Sequence, residues 1–230
     1  MAEPAVLTTR VREIVAATPR ARIVRLDLGG QRFDYAAGQA VKAGAPGGER
    51  RPYSVASAPE DVRRDGLLEL LVSVDTRLPQ APGAAVDIEG PLGSFTFPET
   101  APERRFLFIA GGTGIAPLRA MLHHALTLPH EHIGLFYSAR TSADFAYEAE
   151  FRALAESGRI EFRQTVTRDA REDWSGARGR FDRERLQPLV HNRETLCFIC
   201  GPSPLVVEMS GMLRDLGISE ERIRIERWGR

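Results

Sequence analysis

The chain has 230 residues, 43% of them apolar and 27% charged, with basic and acidic side chains balanced at 31 each. Neither nucleic acid nor an anionic membrane is therefore expected as a bulk electrostatic partner, and two cysteines supply neither a disulfide scaffold nor the four thiolates of an iron–sulfur cluster. No apolar run approaches the ~20 residues that span a bilayer and residues 1–10 lack a signal-peptide core, so a cytoplasmic protein without membrane contact is expected.

From residue 6 to about residue 97 the pattern is short, strand-like and broken by turns. Strands are predicted over residues 11–15, 21–28, 39–42, 67–74 and 85–89, punctuated by Gly29-Gly30, Gly38, residues 44–48, 79–83 and Gly90-Pro91. No helix of convincing length is expected in this half, which reads as an all-β barrel or sandwich. Residues 98–105 form a polar, proline-containing bridge, across which composition and period change. The domain division is placed there, at 1–99 and 104–230.

Beyond the bridge, strands alternate with helices. Strands are predicted over residues 106–110, 133–137, 160–166, 196–200 and 223–228, and helices over 145–156, 182–190 and 204–216, the signature of a doubly wound parallel α/β sheet. The first strand, Phe106-Leu-Phe-Ile-Ala110, passes through a glycine-dense turn into a helix. Leu118, Met121, Leu122, Ala125 and Leu126 give that helix one apolar face, and Pro117 suits its first turn. Gly111, Gly112 and Gly114 clear side chains from backbone N–H groups at a helix start, which makes an anion site. Taken alone, Gly112-x-Gly114-x-x-Pro117 departs from the three-glycine dinucleotide fingerprint, so a plain structural turn stays open.

Cys197 and Cys200 have redox spacing but lie in an apolar strand, where a three-residue step sends them to opposite faces. Two ordinary strand cysteines are expected, one of them facing a ligand. No spacing joins the five histidines to cysteines or carboxylates, so no metal is expected.

One segment makes the reading specific. Arg51-x-Tyr53-Ser54 resembles the flavin-binding motif of the ferredoxin–NADP reductase family, and six further features follow in that family's order. They are Ala37-Gly-Gln39, Gly90-Pro-Leu-Gly-Ser-Phe95, the turn from Gly111 to Pro117, Tyr137-Ser-Ala-Arg140, Cys200-Gly-Pro202 and Glu226-x-Trp228. The resemblance implies an N-terminal antiparallel Greek-key β-barrel for the flavin and a C-terminal α/β sheet for the dinucleotide. It assigns Arg51, Pro52, Tyr53, Ser54, Val72 and Thr76 to the flavin. An arginine fork suits the flavin phosphate, a tyrosine face packs on the ring, and the Ser54 hydroxyl would bond the ring's N5.

By the same resemblance Gly111, Gly112, Thr113, Gly114, Ile115, Ala116 and Pro117 hold the dinucleotide pyrophosphate. Cys200, Gly201 and Pro202 shape the nicotinamide pocket, Glu226 supplies a charge or proton at the flavin edge, and Trp228 covers the ring. Ser54, Cys200 and Glu226 are the expected catalytic residues. Ser138 and Arg140 end the second strand where a carboxylate would otherwise bind ribose hydroxyls, so NADPH is expected over NADH, with Arg168 on the same edge. Asp144 lies close enough in sequence to keep NADH as the alternative. Residues 75–83 are too short for the helix that grips the FAD pyrophosphate in the family, so FAD is expected with FMN as the alternative.

The implied activity passes hydride from NADPH to flavin and electrons onward to a ferredoxin, a flavodoxin or an oxygenase component. No cysteine-bearing ferredoxin segment is fused to the chain, so that acceptor is expected to be a separate molecule. Arg50, Arg63, Arg64, Arg104 and Arg105 could meet an acidic carrier, although scattered surface arginine is the commoner explanation. The competing readings are an NAD(P)H:flavin reductase and a flavin-carrying subunit of a larger assembly.

Overall fold

The computed structural model describes residues 6–169 and 174–228, with Trp228 described by its backbone alone. Six strands make an antiparallel sheet: β1 (Val6–Thr18), β2 (Ala21–Asp27), β3 (Ala40–Gly44), β4 (Arg51–Ser54), β5 (Leu67–Ser73) and β6 (Ala85–Leu92). Their order is β4-β3-β6-β1-β2-β5. Val55, just past β4, bridges to Leu70 of β5, so the two outer strands meet and the sheet closes into a barrel.

Strand alternation decides what each face buries. Leu68, Leu70 and Val72 of β5 point inward and join Val11, Val24, Leu26, Val41 and Ile88 in the barrel core. Leu71 belongs instead to a second cluster shared with the C-terminal half, and Glu69, on the same face as Leu71, is buried with it. The apolar run at 67–72 is thus covered on both sides.

One short helix, α1 (Pro59–Asp65), of seven residues, interrupts the strands of this half. Val62 is its only buried residue, too little for a helical period to show in the sequence. Its end signals are nonetheless present. Pro59 stands in the first turn with Glu60 and Asp61, Arg63 and Arg64 in the last, and Gly66 leaves the helix at φ 72°.

The second sheet is wholly parallel: β7 (Arg105–Gly111), β8 (His132–Ala139), β9 (Glu161–Val166), β10 (Ala177–Arg178), β11 (Leu196–Pro202) and β12 (Ile223–Trp228), in the order β10-β9-β8-β7-β11-β12. Helices α2 (Ile115–Ala125), α3 (Glu148–Glu156), α4 (Arg183–Leu186) and α5 (Ser203–Asp215) connect them. Two predicted helices are shorter than expected. Tyr147 holds a left-handed φ of 60°, which stops α3 from starting at residue 145. After α4 the chain tightens into a 3-10 turn over Gln187–Leu189.

Phe106, Phe108 and Ala110 of β7 pack on the side of α2, while Leu107 and Ile109 pack on the side of α5. Cys197 and Cys200 likewise face opposite ways, and both are buried. The α2 side is where the barrel docks. Ala21, Ile23, Ala37, Leu71, Phe95 and Phe97 from the first half share one core with Phe106, Phe108, Met121 and Phe198 from the second. Among the described residues, no helix is long and apolar enough to cross a membrane.

Candidate active site

Strands β7 and β11 are neighbours whose following helices leave on opposite faces of the sheet. That reversal opens a crevice beyond their carboxyl ends, where open α/β sheets bind ligands. The glycines set its floor. A Cβ on Gly114 would collide with the Cys200 carbonyl, and one on Gly111 would stand 2.9 Å from Pro202 Cδ. Gly112 has φ 55° and nothing within 4 Å of where a Cβ would go, so it is this glycine that turns toward open space. Tyr137, fully buried beneath the turn, donates its hydroxyl hydrogen to the Gly112 carbonyl at 3.0 Å and accepts from the Ala146 N–H at 3.3 Å. Burial pushes the pKa of Tyr137 up, so it stays a neutral donor.

A cleft of about 570 Å³ lies over this floor. It brings together Gly111, Gly112, Thr113, Ser138, Arg140, Arg168 and Pro202, seven of the residues singled out in the sequence. Gly114, Ile115, Ala116, Cys200 and Gly201 are buried behind it, as is Pro117 in the first turn of α2. The cleft has a second wall that no motif announced. Thr18, Arg20, Ala21 and Leu71 reach it from the barrel, and Arg180 from the segment after β10. Arg20 stands in the β1–β2 turn, 3.8 Å from Asp144. Asp144 also accepts from the Thr141 backbone at 3.2 Å and the Thr141 hydroxyl at 2.8 Å.

Beside the crevice, parallel pairing sets Cys200 against Ala110 on one side and Glu226 on the other. Cys200 Sγ lies 3.9 Å from Glu226 Oε2. Trp228 pairs through its backbone with Pro202, and its side chain lies outside the described residues.

The second group of expected residues sits on the barrel along β4. Arg51 is exposed and its Nε donates to Glu49 at 3.2 Å. The Tyr53 hydroxyl is 2.5 Å from Thr76 Oγ1, which fastens the 75–83 loop to β4. That loop contains no helix. Pro52 is exposed beside them, whereas the Val72 side chain is 1% exposed and packed in the barrel core. Ser54 Oγ is buried and has no hydrogen-bond partner. A buried hydroxyl without a partner calls for an explanation, and a ligand heteroatom at this strand end supplies one. The donor set therefore fits a flavin.

The arginines considered for an acidic carrier are committed to carboxylates of the same chain. Arg50 pairs with Glu89, Arg63 with Glu60, Arg64 with Asp61, and Arg104 and Arg105 with Glu131.

Residues 108–210 match the oxidoreductase NAD-binding domain family. The chain is 34% identical over 217 residues to ferredoxin–NADP reductase B of Sorangium cellulosum, covering 86% of this chain and 87% of that one. It is 29% identical over 247 residues to oxidoreductase NAD-binding domain-containing protein 1 of Danio rerio, covering 96% and 91%. The crystal structure of the Amycolatopsis cytochrome P450 reductase superposes with a TM-score of 0.83 at 28% identity, covering 99% of this chain and 71% of that one.

Proposed function

The chain belongs to the ferredoxin–NADP reductase family, as an NAD(P)H-dependent flavoprotein reductase, and from that premise we propose NADPH as its donor, FAD as its flavin and a separate protein as its electron acceptor. A ferredoxin, a flavodoxin or an oxygenase component fits that last role, in keeping with the named activities of the Sorangium and Amycolatopsis relatives. When bound, the flavin supplies the chemistry of taking hydride from the nicotinamide and releasing electrons singly.

The observation that carries the reading is the cleft at the β7–β11 crevice, where the Gly112 turn shares one space with Ser138, Arg140 and Arg168. Backbone N–H groups at a helix start suit a pyrophosphate, and guanidinium groups suit a further phosphate. Asp144 is already engaged by Thr141 and Arg20, which leaves it poorly placed to hold ribose hydroxyls and favours NADPH over NADH. Arg51 would hold the flavin phosphate by exchanging Glu49 for it, Tyr53 would pack on the ring, and Ser54 would hydrogen-bond the ring edge. Cys200 and Glu226 would close the nicotinamide side. In this reading residues 1–99 serve the flavin and residues 104–230 the dinucleotide.

The helix-free 75–83 loop favours one second reading, an NAD(P)H:flavin reductase that holds its flavin loosely. The test is the visible absorption of the purified protein, identification of any released flavin, and kcat/KM with NADPH and NADH using ferricyanide as acceptor. A yellow protein that releases FAD and favours NADPH is expected. Colourless protein turning over added flavin would support the second reading, and preference for NADH would overturn the arginine assignment. Ser54→Ala should slow single-turnover flavin reduction about tenfold, the equivalent of roughly 1.4 kcal/mol, with folding intact.

A further inference from the structure

The far end of the parallel sheet carries a cluster that hydride transfer leaves unused. His132 opens β8, Glu161 opens β9, and His191 lies in the segment leading into β11. His132 and Glu161 therefore sit at amino ends of neighbouring strands, with His191 beside them, opposite the nucleotide crevice. Six residue steps along β8 take the chain from His132 to Ser138 in the cleft, a span of roughly 20 Å along a strand.

The three side chains converge through one atom each. His132 Nε2 is 2.9 Å from His191 Nε2 and 3.4 Å from Glu161 Oε2, and His191 Nε2 is 3.7 Å from that same oxygen. Arg163 takes the other oxygen, Oε1, at 2.8 Å, which leaves Oε2 turned toward the imidazoles. His132 Nδ1 is buried without a hydrogen-bond partner, so the ring's polar contacts run through Nε2.

A neutral imidazole carries one N–H and one lone pair. Two imidazole nitrogens and a carboxylate oxygen lie within 3.7 Å of one another here, close enough to share one positive charge.

A metal ion supplies it. In a triangle with these sides, a point about 2 Å from all three donor atoms exists, which is the bonding distance of zinc to imidazole nitrogen and carboxylate oxygen. Two histidines and one carboxylate form a known open donor set for borderline divalent ions, with a fourth position left to water. His191 is 37% exposed, so water reaches that position.

We propose that His132, Glu161 and His191 form a binding site for a divalent transition-metal ion, zinc first among them, that fastens the amino ends of β8 and β9 to the segment before β11. The ion is structural. Its distance from the crevice keeps it out of hydride transfer.

The test uses the full-length protein, stripped with chelator and titrated with Zn²⁺ against a chromophoric competitor, alongside His191→Asn and Glu161→Gln. His191 is partly exposed outside any strand, so its replacement spares the core. One Zn²⁺ per chain is expected, with a dissociation constant of about 10 μM or tighter and a rise in melting temperature. Each substitution should weaken binding roughly tenfold or more and abolish the rise. NADPH–ferricyanide turnover of both variants should stay within about twofold of the parent. Co²⁺ should give visible bands without a thiolate charge-transfer band. Absence of saturable binding below about 100 μM Zn²⁺ would overturn the proposal. So would unchanged affinity in both variants, or a thiolate band placing the ion on Cys200.

Discussion

A methyl group on Gly114 would enter the carbonyl of Cys200, because the exits of β7 and β11 close on each other with no side chain between them. Gly114→Ala should therefore force the two turns apart, cost about 1–3 kcal/mol in urea unfolding and raise KM for the dinucleotide. Gly112→Ala is the useful contrast. Its Cβ meets nothing, so its cost is confined to a left-handed backbone, about 1 kcal/mol. Equal losses for the two variants would contradict the packing argument. The sequence marks the turn and its glycines, but it cannot separate a glycine kept for a ligand from one kept for a strand far along the chain. Ser54 could be singled out because its motif is local, and its Oγ is buried without a hydrogen-bond partner. The inward direction of the Val72 side chain follows from strand alternation and is not given by any motif. Arg20 and Arg180 were missed because neither stands in a pattern, and only folding brings them to the cleft.

At the scale of elements, α1 and α2 meet through charge. His123 Nδ1 is 2.9 Å from Asp61 Oδ2 and its Nε2 is 2.5 Å from Glu150 Oε1, while His124 Nδ1 is 3.1 Å from Glu60 Oε1. Burial alone would lower the pKa of His123, but its hydrogen bonds to Asp61 and Glu150 outweigh this and raise it. Burial pushes Asp61 up, yet His123 brings it down to about 2, and His123 with Arg119 lowers Glu150 against its own burial. The histidine's share of stability is complete below its unfolded value of about 6.5 and fades as pH rises through the raised folded value. The carboxylates' share is complete above about 4 and fades as pH falls through their lowered values. The joint is thus strongest between about pH 4.5 and 6.5. His123→Gln should lower the melting temperature more at about pH 5.5 than at about pH 8.5, read by calorimetry at both. A loss independent of pH would mean that packing, not charge, carries the joint. Nothing periodic betrayed α1, since a helix with one buried side chain has no stripe to read, although its proline, its charges and its closing glycine were in plain view.

For the whole molecule, the two sheets were legible because the chain switches from short, turn-broken strands to alternating strands and helices near residue 98. How the halves lock together was not. Arg119 is 9% exposed in α2, and its guanidinium reaches the Ala56 carbonyl at 2.8 Å, Glu69 at 3.1 Å and Glu150 at 2.9 Å, 4.5 Å above the Tyr147 ring. Glu69 is a charge in the middle of an apolar strand, met by its cross-strand partner Arg25 within the barrel and by Arg119 of the docked α2. Arg119→Met should cost about 3–5 kcal/mol in chemical unfolding, because it leaves Glu69 and Glu150 short of positive charge inside the joint. A loss below about 1 kcal/mol would mean that Arg25, 2.7 Å from Glu69, neutralises it alone.

Phe97 precedes the bridge but packs beyond it. Its ring lies 5.0 Å from Phe106 and is stacked at 5.3 Å on Phe198, which stacks in turn on Phe108 at 5.4 Å. Chimeras that splice this chain to a relative at the covalent linker would therefore cut beside the wrong seam. The transplantable unit is bounded by its aromatic plug, so a donor half travels well only if the recipient brings a socket of matching shape.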